Sequence, residues 1–141
     1  MLRKKLFAEF LGTGTLVATV VGSGIMATDI SADVGIQLLI NTIATVFVLY
    51  ILITLLAPIS GAHFNPLVTV ISLFRKDLSF ANTVWYLAAQ ILGGSLGAIV
   101  ANLMFEHPAL DPSQKVRDGA HLWLGEVIAS AGLIFIIFLA I

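Results

Sequence analysis

Cysteine is absent from the 141 residues, which removes disulfides and thiolate metal sites and leaves the redox compartment undetermined. Charge is scarce: charged residues make up 11% of the chain, less than half the usual share of roughly 25%. No basic stripe is present, so no nucleic-acid partner is expected. The three histidines, His63, His107 and His121, are scattered, give no metal-ligand spacing, and imply no metal or other cofactor. No nucleophile is paired with a base, and no metal cluster is visible, so the chain does not read as an enzyme.

Apolar residues are plentiful, at 59% of the chain, and they come in long blocks. Four segments are visible: about Leu6 to Ala27, Val34 to Ala57, Ala81 to Phe105, and Leu122 to Ile141. Each supplies roughly the 20 residues that a ~30 Å hydrocarbon core requires. The N-terminus has a basic start like a signal peptide, but its apolar run outlasts the ~7–15 residues of a cleaved segment and contains Glu9, so it reads as a retained span. The linker EHPALDPSQKVRDGAH, within residues 106–121, reads as a solvated loop. The expected fold class is an all-α membrane protein of one domain.

Lysine and arginine placement predicts orientation. With the N-terminus cytoplasmic, Arg3, Lys4, Lys5, Arg75 and Lys76 face inward, while only Lys115 and Arg117 face outward. The loop 106–120 is then extracellular, and the stretch between the second and third spans must return to the side it left. The fourth segment reaches Ile141 without a charged or aromatic flank, so the chain reads as one cut short.

The returning stretch contains SGAHFNPLVTV, at 60–70. From Pro66 to Phe74 it stays largely apolar, and nine residues make about 13–14 Å of helix, near half the hydrocarbon thickness. A re-entrant loop and half-helix over 58–75 satisfies both the length and the charge count. Pro58 and Ser60-Gly61 are expected to end the second span. Asn65 is a favoured N-cap and Pro66 suits the first helical position. Such a helix aims roughly half a positive charge at the membrane centre, which repels cations and protons and leaves neutral solutes unopposed. An Asn65 that caps with its oxygen keeps its amide NH2 to donate to a passing hydroxyl. Non-helical backbone at that depth implies a wet cavity or a tightly packed partner.

These residues resemble the first signature loop of the aquaporin and glycerol-facilitator family, also called the major intrinsic proteins. AEFLGT at 8–13 is similar to the family's first-helix motif, AAQILGGSLGA at 88–98 to its third helix, and GEVIASAGLIF at 125–135 to the start of its fourth. TVVGSGIMA and the second span are most similar to bacterial members, some associated with arsenical resistance. The resemblance implies an aquaporin-like helical bundle, here the first inverted repeat: three transmembrane helices, one re-entrant half-helix, and the start or whole of the fourth helix. Two departures stand out. Leu67 replaces the alanine of the asparagine-proline-alanine triplet, and the second repeat, with its own loop and filter arginine, is not encoded.

The resemblance also assigns roles. Glu9 and Glu126 would brace the re-entrant loops, against the alternative that each lies near a membrane face or is protonated. His63 would stand near the pore wall or serve as a hydrogen-bonded packing residue, and both readings stay open; His107 and His121 read as solvated. Thr45, by ungapped spacing from Asn65, matches the constriction position, where a small polar residue suggests passage of glycerol-like or metalloid solutes. The alternative is a threonine bonded to its own helix. Gly93 and Gly97, with Gly12 and Ala8 in the first span, read as small faces for helix packing in lipid. The leading function is a passive channel for water and small neutral solutes that excludes ions and protons. A non-conducting fragment and a secondary transporter with a broken helix are the alternatives. Partners are then the lipid bilayer, small neutral solutes and, in a complete channel, copies of itself in a homo-tetramer. The expected location is a bacterial inner membrane.

Overall fold

The computed structural model describes residues 1–113, 116 and 118–139. Lys115 and Arg117, the two cations expected on the outer side, lie outside these residues. Five helices are described: α1 (Leu2–Ile30), α2 (Val34–Ser60), α3 (Pro66–Phe74), α4 (Phe80–Met104) and α5 (Ala120–Leu139). All but α3 are long and apolar enough to cross a bilayer. The four spans make the chain an integral, multi-pass membrane protein of all-α class.

The residues 1–111 form one compact unit, with α1 packed against both α2 and α4, and α3 against α4. Its interior inverts the pattern of a soluble helix. The buried stripe of α4 is Thr83, Tyr86, Gln90, Gly93, Gly97 and Ala101, a run of small and polar residues at spacings of three and four. Leucine, isoleucine and valine turn outward instead, including Ile91, Leu92, Leu96 and Val100. In lipid the hydrocarbon offers apolar groups as good a home as the protein does, so close backbone approach and hydrogen bonds take over as the cement.

That approach is closest where α1 crosses α4. A Cβ added at Gly93 would overlap the carbonyl of Phe10, and one added at Gly97 would overlap the carbonyl of Gly14. The α1 partner of this contact is therefore the backbone around Gly14. Gly12, grouped with Ala8 in the sequence reading, faces elsewhere: the space beside it is filled by the Phe64 ring. The correction has a simple origin, since two residues along a helix rotate the face by about 200°.

The ends of the helices are locally specified. Asp33 caps α2, its carboxylate accepting from the Gly35 and Ile36 amides at 2.8 and 3.1 Å. Ser79 caps α4 through the Asn82 amide at 3.3 Å. Asp33→Ala should cost about 1 kcal/mol, read as an earlier midpoint in reversible mixed-micelle unfolding with helicity otherwise unchanged. Contrary to the expectation that Pro58 helps to end the second span, α2 runs through Pro58 to Ser60 and closes on Gly61, whose φ of 93° is left-handed. Proline removes one backbone bond, and the final turn is held instead through Ser60, described below. The loop that follows begins at Gly61, three residues later than the 58–75 boundary.

The second compact unit begins at Pro112 and contains α5. None of the α5 side chains is buried, and Gly125 and Gly132 have no neighbour within 4 Å of a built Cβ.

Candidate functional site: a braced loop and a capped half-helix

The loop from Gly61 to Phe64 joins two helices that the chain must reverse between, and its backbone is contorted accordingly. Ala62 and Phe64 both take positive φ, 51° and 47°. For an aromatic residue that conformation costs of order 1–3 kcal/mol unless its surroundings impose it.

Glu9 imposes it. This acid of α1 is fully buried, and all its contacts are with donors. Oε1 accepts from the Ser60 hydroxyl at 2.6 Å and from the His63 amide at 3.0 Å. Oε2 accepts from the Phe64 amide at 2.9 Å and from the Gln90 side-chain amide at 2.8 Å. Four donors fill the roughly four acceptor positions of a carboxylate, so the expense of placing an acid inside a span is offset by complete pairing. The Phe64 side chain, itself buried, drops into the slot beside Gly12.

A second layer supports the first. The Ser60 hydroxyl accepts from the Ala62 amide at 3.1 Å, and the Ser60 carbonyl accepts from the Tyr86 hydroxyl at 2.8 Å. Gln90 Nε2 also reaches Thr69 Oγ1 at 2.8 Å, tying α4 to α3. Its orientation follows from the network, because the opposite amide placement would set two oxygens against each other. Gln90 Oε1 and Thr13 Oγ1 are buried without a partner among the described residues.

His63 is half-buried, its Nδ1 3.0 Å from Thr69 Oγ1 and its ring 5.3 Å from that of Tyr86. The Thr69 hydroxyl also reaches the Asn65 carbonyl at 3.2 Å. The one Thr69 proton can serve either that carbonyl or His63 Nδ1, and the His63 tautomer follows from which of the two it takes.

Beyond Phe64 the chain turns extended at Asn65, with φ −147° and ψ 124°, and α3 begins at Pro66. Asn65 Oδ1 accepts from the Leu67 amide at 2.8 Å. The cap uses the oxygen, so the amide NH2 carries no bond among the described residues. Asn65 is half-exposed, while Pro66 and Leu67 are exposed. Together they form an open tip with a free donor, the positive end of α3 and an apolar shoulder.

Thr45 lies on α2, where its hydroxyl donates to the Asn41 carbonyl of the same helix at 2.8 Å. Its proton is thereby spent, and the oxygen offers only lone pairs. Asn41 binds α1 across the helix pair, donating to the Val20 carbonyl at 2.8 Å and to Ser23 Oγ at 3.0 Å. Glu126 is exposed on α5 with no hydrogen bond among the described residues.

The structure thus brings Glu9, His63, Asn65 and Pro66 into one assembly with Ser60, read from the sequence only as part of a helix stop, and with residues that the sequence reading had not singled out: Phe64, Thr69, Tyr86 and Gln90. A signal for Gln90 was present. A glutamine inside a span is costly, and it pays only when bonded to another helix.

All 141 residues match the family described as Major intrinsic protein. The chain is 47% identical over 133 residues to aquaglyceroporin AqpS of Rhizobium meliloti (strain 1021), covering 94% of this chain and 57% of that protein. It is 35% identical over 104 residues to aquaporin NIP3-1 of Arabidopsis thaliana, covering 72% of this chain and 31% of the relative. Over 138 residues it is 30% identical to the probable aquaporin TIP-type alpha of Phaseolus vulgaris, covering 93% and 53%. The chain therefore spans between about a third and somewhat over half of the length of these relatives. With a match along its whole length, four apolar spans and a loop built on buried acid and capped half-helix, the chain belongs to the major intrinsic protein family.

Proposed function

We propose that the chain builds one jaw of a passive channel for water and small neutral solutes, and that it works as a channel rather than an enzyme. The observation that carries this reading is the tip of α3, where Asn65 caps with Oδ1 and keeps its NH2 to donate. In this reading the segment from Gly61 to Arg75 is re-entrant, and α3 spans about half the hydrocarbon depth with its N-terminus at the middle. The positive helix end disfavours cations and protons there, while the Asn65 amide replaces a hydrogen bond that a hydroxyl-bearing solute loses on leaving water. Glu9 and its donors hold the tip at a fixed height. Thr45 forms part of the constriction and offers an acceptor from a small side chain, which favours glycerol-like or metalloid hydroxides over a strict water channel. The name aquaglyceroporin, carried by the Rhizobium relative, points the same way. Leu67 sets the spacing to the opposing jaw, which Glu126 would brace. The channel sits in a bacterial inner membrane as a homo-tetramer with its N-terminus cytoplasmic and 106–120 outside.

Vesicle swelling tests the proposal. Proteoliposomes carrying the channel that contains this chain should take up glycerol faster than empty vesicles, with no matching proton leak to an internal pH dye. Thr45→Phe should lower the glycerol rate by about tenfold, the effect of roughly 1.4 kcal/mol on the barrier, and spare water. Glycerol entry at the empty-vesicle rate, or protons keeping pace with water, would sink it. The same assay on this polypeptide alone asks whether one jaw suffices.

A further inference from the structure

Three consecutive cations, Arg3, Lys4 and Lys5, occupy the opening turn of α1. None of their side chains has an ion pair or hydrogen bond among the described residues. The placement is locally unfavourable: the turn contains no acidic residue, and Met1 offers no side-chain cap, so the cations stand against the positive end of the helix. A positive-inside signal alone would be satisfied by cations placed before the helix.

Directly below two of these cations lies a groove of about 540 Å³ between α1 and α2, lined by Arg3, Lys4, Phe7, Leu11, Leu56 and Ile59 with Ala8 at its floor. Its walls are apolar, and Phe7, Leu11 and Ile59 are exposed. Charge is confined to one end. From Arg3 to Leu11 the α1 wall runs for nine residues, about 12 Å of helix between the first and last, against roughly 15 Å for the hydrocarbon of one leaflet. A cationic mouth above an apolar trough of leaflet depth is complementary to a molecule with an anionic head and a hydrocarbon tail.

We propose that this groove seats one anionic phospholipid of the bilayer, with Arg3 and Lys4 on its phosphate and one acyl chain along Phe7, Leu11, Leu56 and Ile59. The long basic side chains can reach up to the headgroup level while their stems stay on apolar surface, and an anionic surface attracts juxtamembrane cations in this position. The bound phosphate relieves the conflict between the cations and the helix end. The seat is independent of conduction, because it lies on Arg3, Lys4 and the α1–α2 trough rather than on Asn65 or Thr45.

Native mass spectrometry of the full chain reads the outcome, using phosphatidylglycerol and phosphatidylcholine with identical acyl chains at equal concentration. The phosphatidylglycerol adduct should dominate. Each cation near an anionic head is worth about fivefold, so Arg3→Gln with Lys4→Gln should cut the preference by roughly 25-fold. Lys5→Gln, which removes a cation outside the groove lining, should retain it. Leu11→Trp keeps every charge and fills the trough, so it should deplete both adducts; this arm holds even where the double variant inserts poorly. Circular dichroism confirms that the variants compared keep their helicity. Equal retention of the two lipids, a Lys5→Gln loss as large as that of the pair, undiminished adducts in Leu11→Trp, or a second copy of the chain in place of lipid would each overturn the proposal.

Discussion

Glu9→Gln should unseat the loop between α2 and α3, although the substitution changes neither size nor shape. Each carboxylate oxygen of Glu9 accepts from two donors. An amide keeps one oxygen and turns the other into a donor, so one backbone amide, that of His63 or that of Phe64, loses its acceptor whichever way the side chain faces. With the NH2 on the Oε1 side, Ser60 can rotate its hydroxyl to accept, but the His63 amide cannot. With the NH2 on the Oε2 side, it meets the Phe64 amide, which cannot accept, and Gln90, which can accept only by turning its amide over and giving up its present bonds through Nε2. A buried donor left without a partner costs about 1–3 kcal/mol, and the positive φ of Ala62 and Phe64 loses its template. The expected total is several kcal/mol, on the order of 2–5, read as a large fall in the unfolding midpoint in mixed micelles. Exchange of the His63 and Phe64 amides with solvent should rise together. Glu126→Gln, on the exposed face of α5, is the control and should change little. A Glu9→Gln protein as stable as the parent would mean that the four contacts do not set the loop.

The second large effect is expected at the α1–α4 crossing, where neighbouring glycines should respond oppositely. Gly97→Ala drives a methyl into the Gly14 carbonyl, a backbone atom that no rotamer change can move. The helices must separate, and overpacking of this kind costs about 1–3 kcal/mol or more. Gly93→Ala meets the Phe10 carbonyl in the same way. Gly94 is different: a methyl there would lie 3.5 Å from Val17 Cγ2 and 3.6 Å from Thr13 Cγ2, ordinary contact distances. Gly94→Ala should therefore be neutral or stabilising by up to about 1 kcal/mol through helix propensity. Unfolding midpoints for the three single variants decide the matter. Similar shifts at 94 and 97 would contradict the close crossing. Separation of α1 from α4 would also pull Glu9 from Gln90, so Gly97→Ala should loosen the loop without touching it.

The four spans were legible because apolar runs of that length have few other homes. The half-helix was legible for a second reason: Asn65-Pro66 is a start signal in itself, and Arg75 closes the count at nine residues. Rotation of the helices about their axes was not legible. Gly12 and Gly14 are equally small, and only the packed structure says which of them meets Phe64 and which meets α4. The end of α2 was read correctly at Ser60-Gly61 and wrongly at Pro58, for a related reason. Pro58 is a local stop signal, whereas the bonds that carry the helix on to Ser60 come from Glu9 and Tyr86, 51 and 26 residues away. For Thr45 the sequence left two readings, and its bond to Asn41 satisfies the bland one while leaving the oxygen available for the other. The buried network around Gln90 was hidden by composition, since a few polar residues among leucines look incidental until their partners are known.

The span of that network also sets a schedule for the growing chain. Glu9 and Gln90 lie 81 residues apart, and translation at about 5–20 residues per second separates their emergence by roughly 4–16 s. During that interval α1 and α2 can already be in the membrane, while the Gln90 and Tyr86 contacts do not yet exist. The polar turn after Ser60 must therefore wait for α4 to be synthesised before its second layer can close. Its final shape is set late in biogenesis, by a helix not yet made when the turn itself leaves the ribosome.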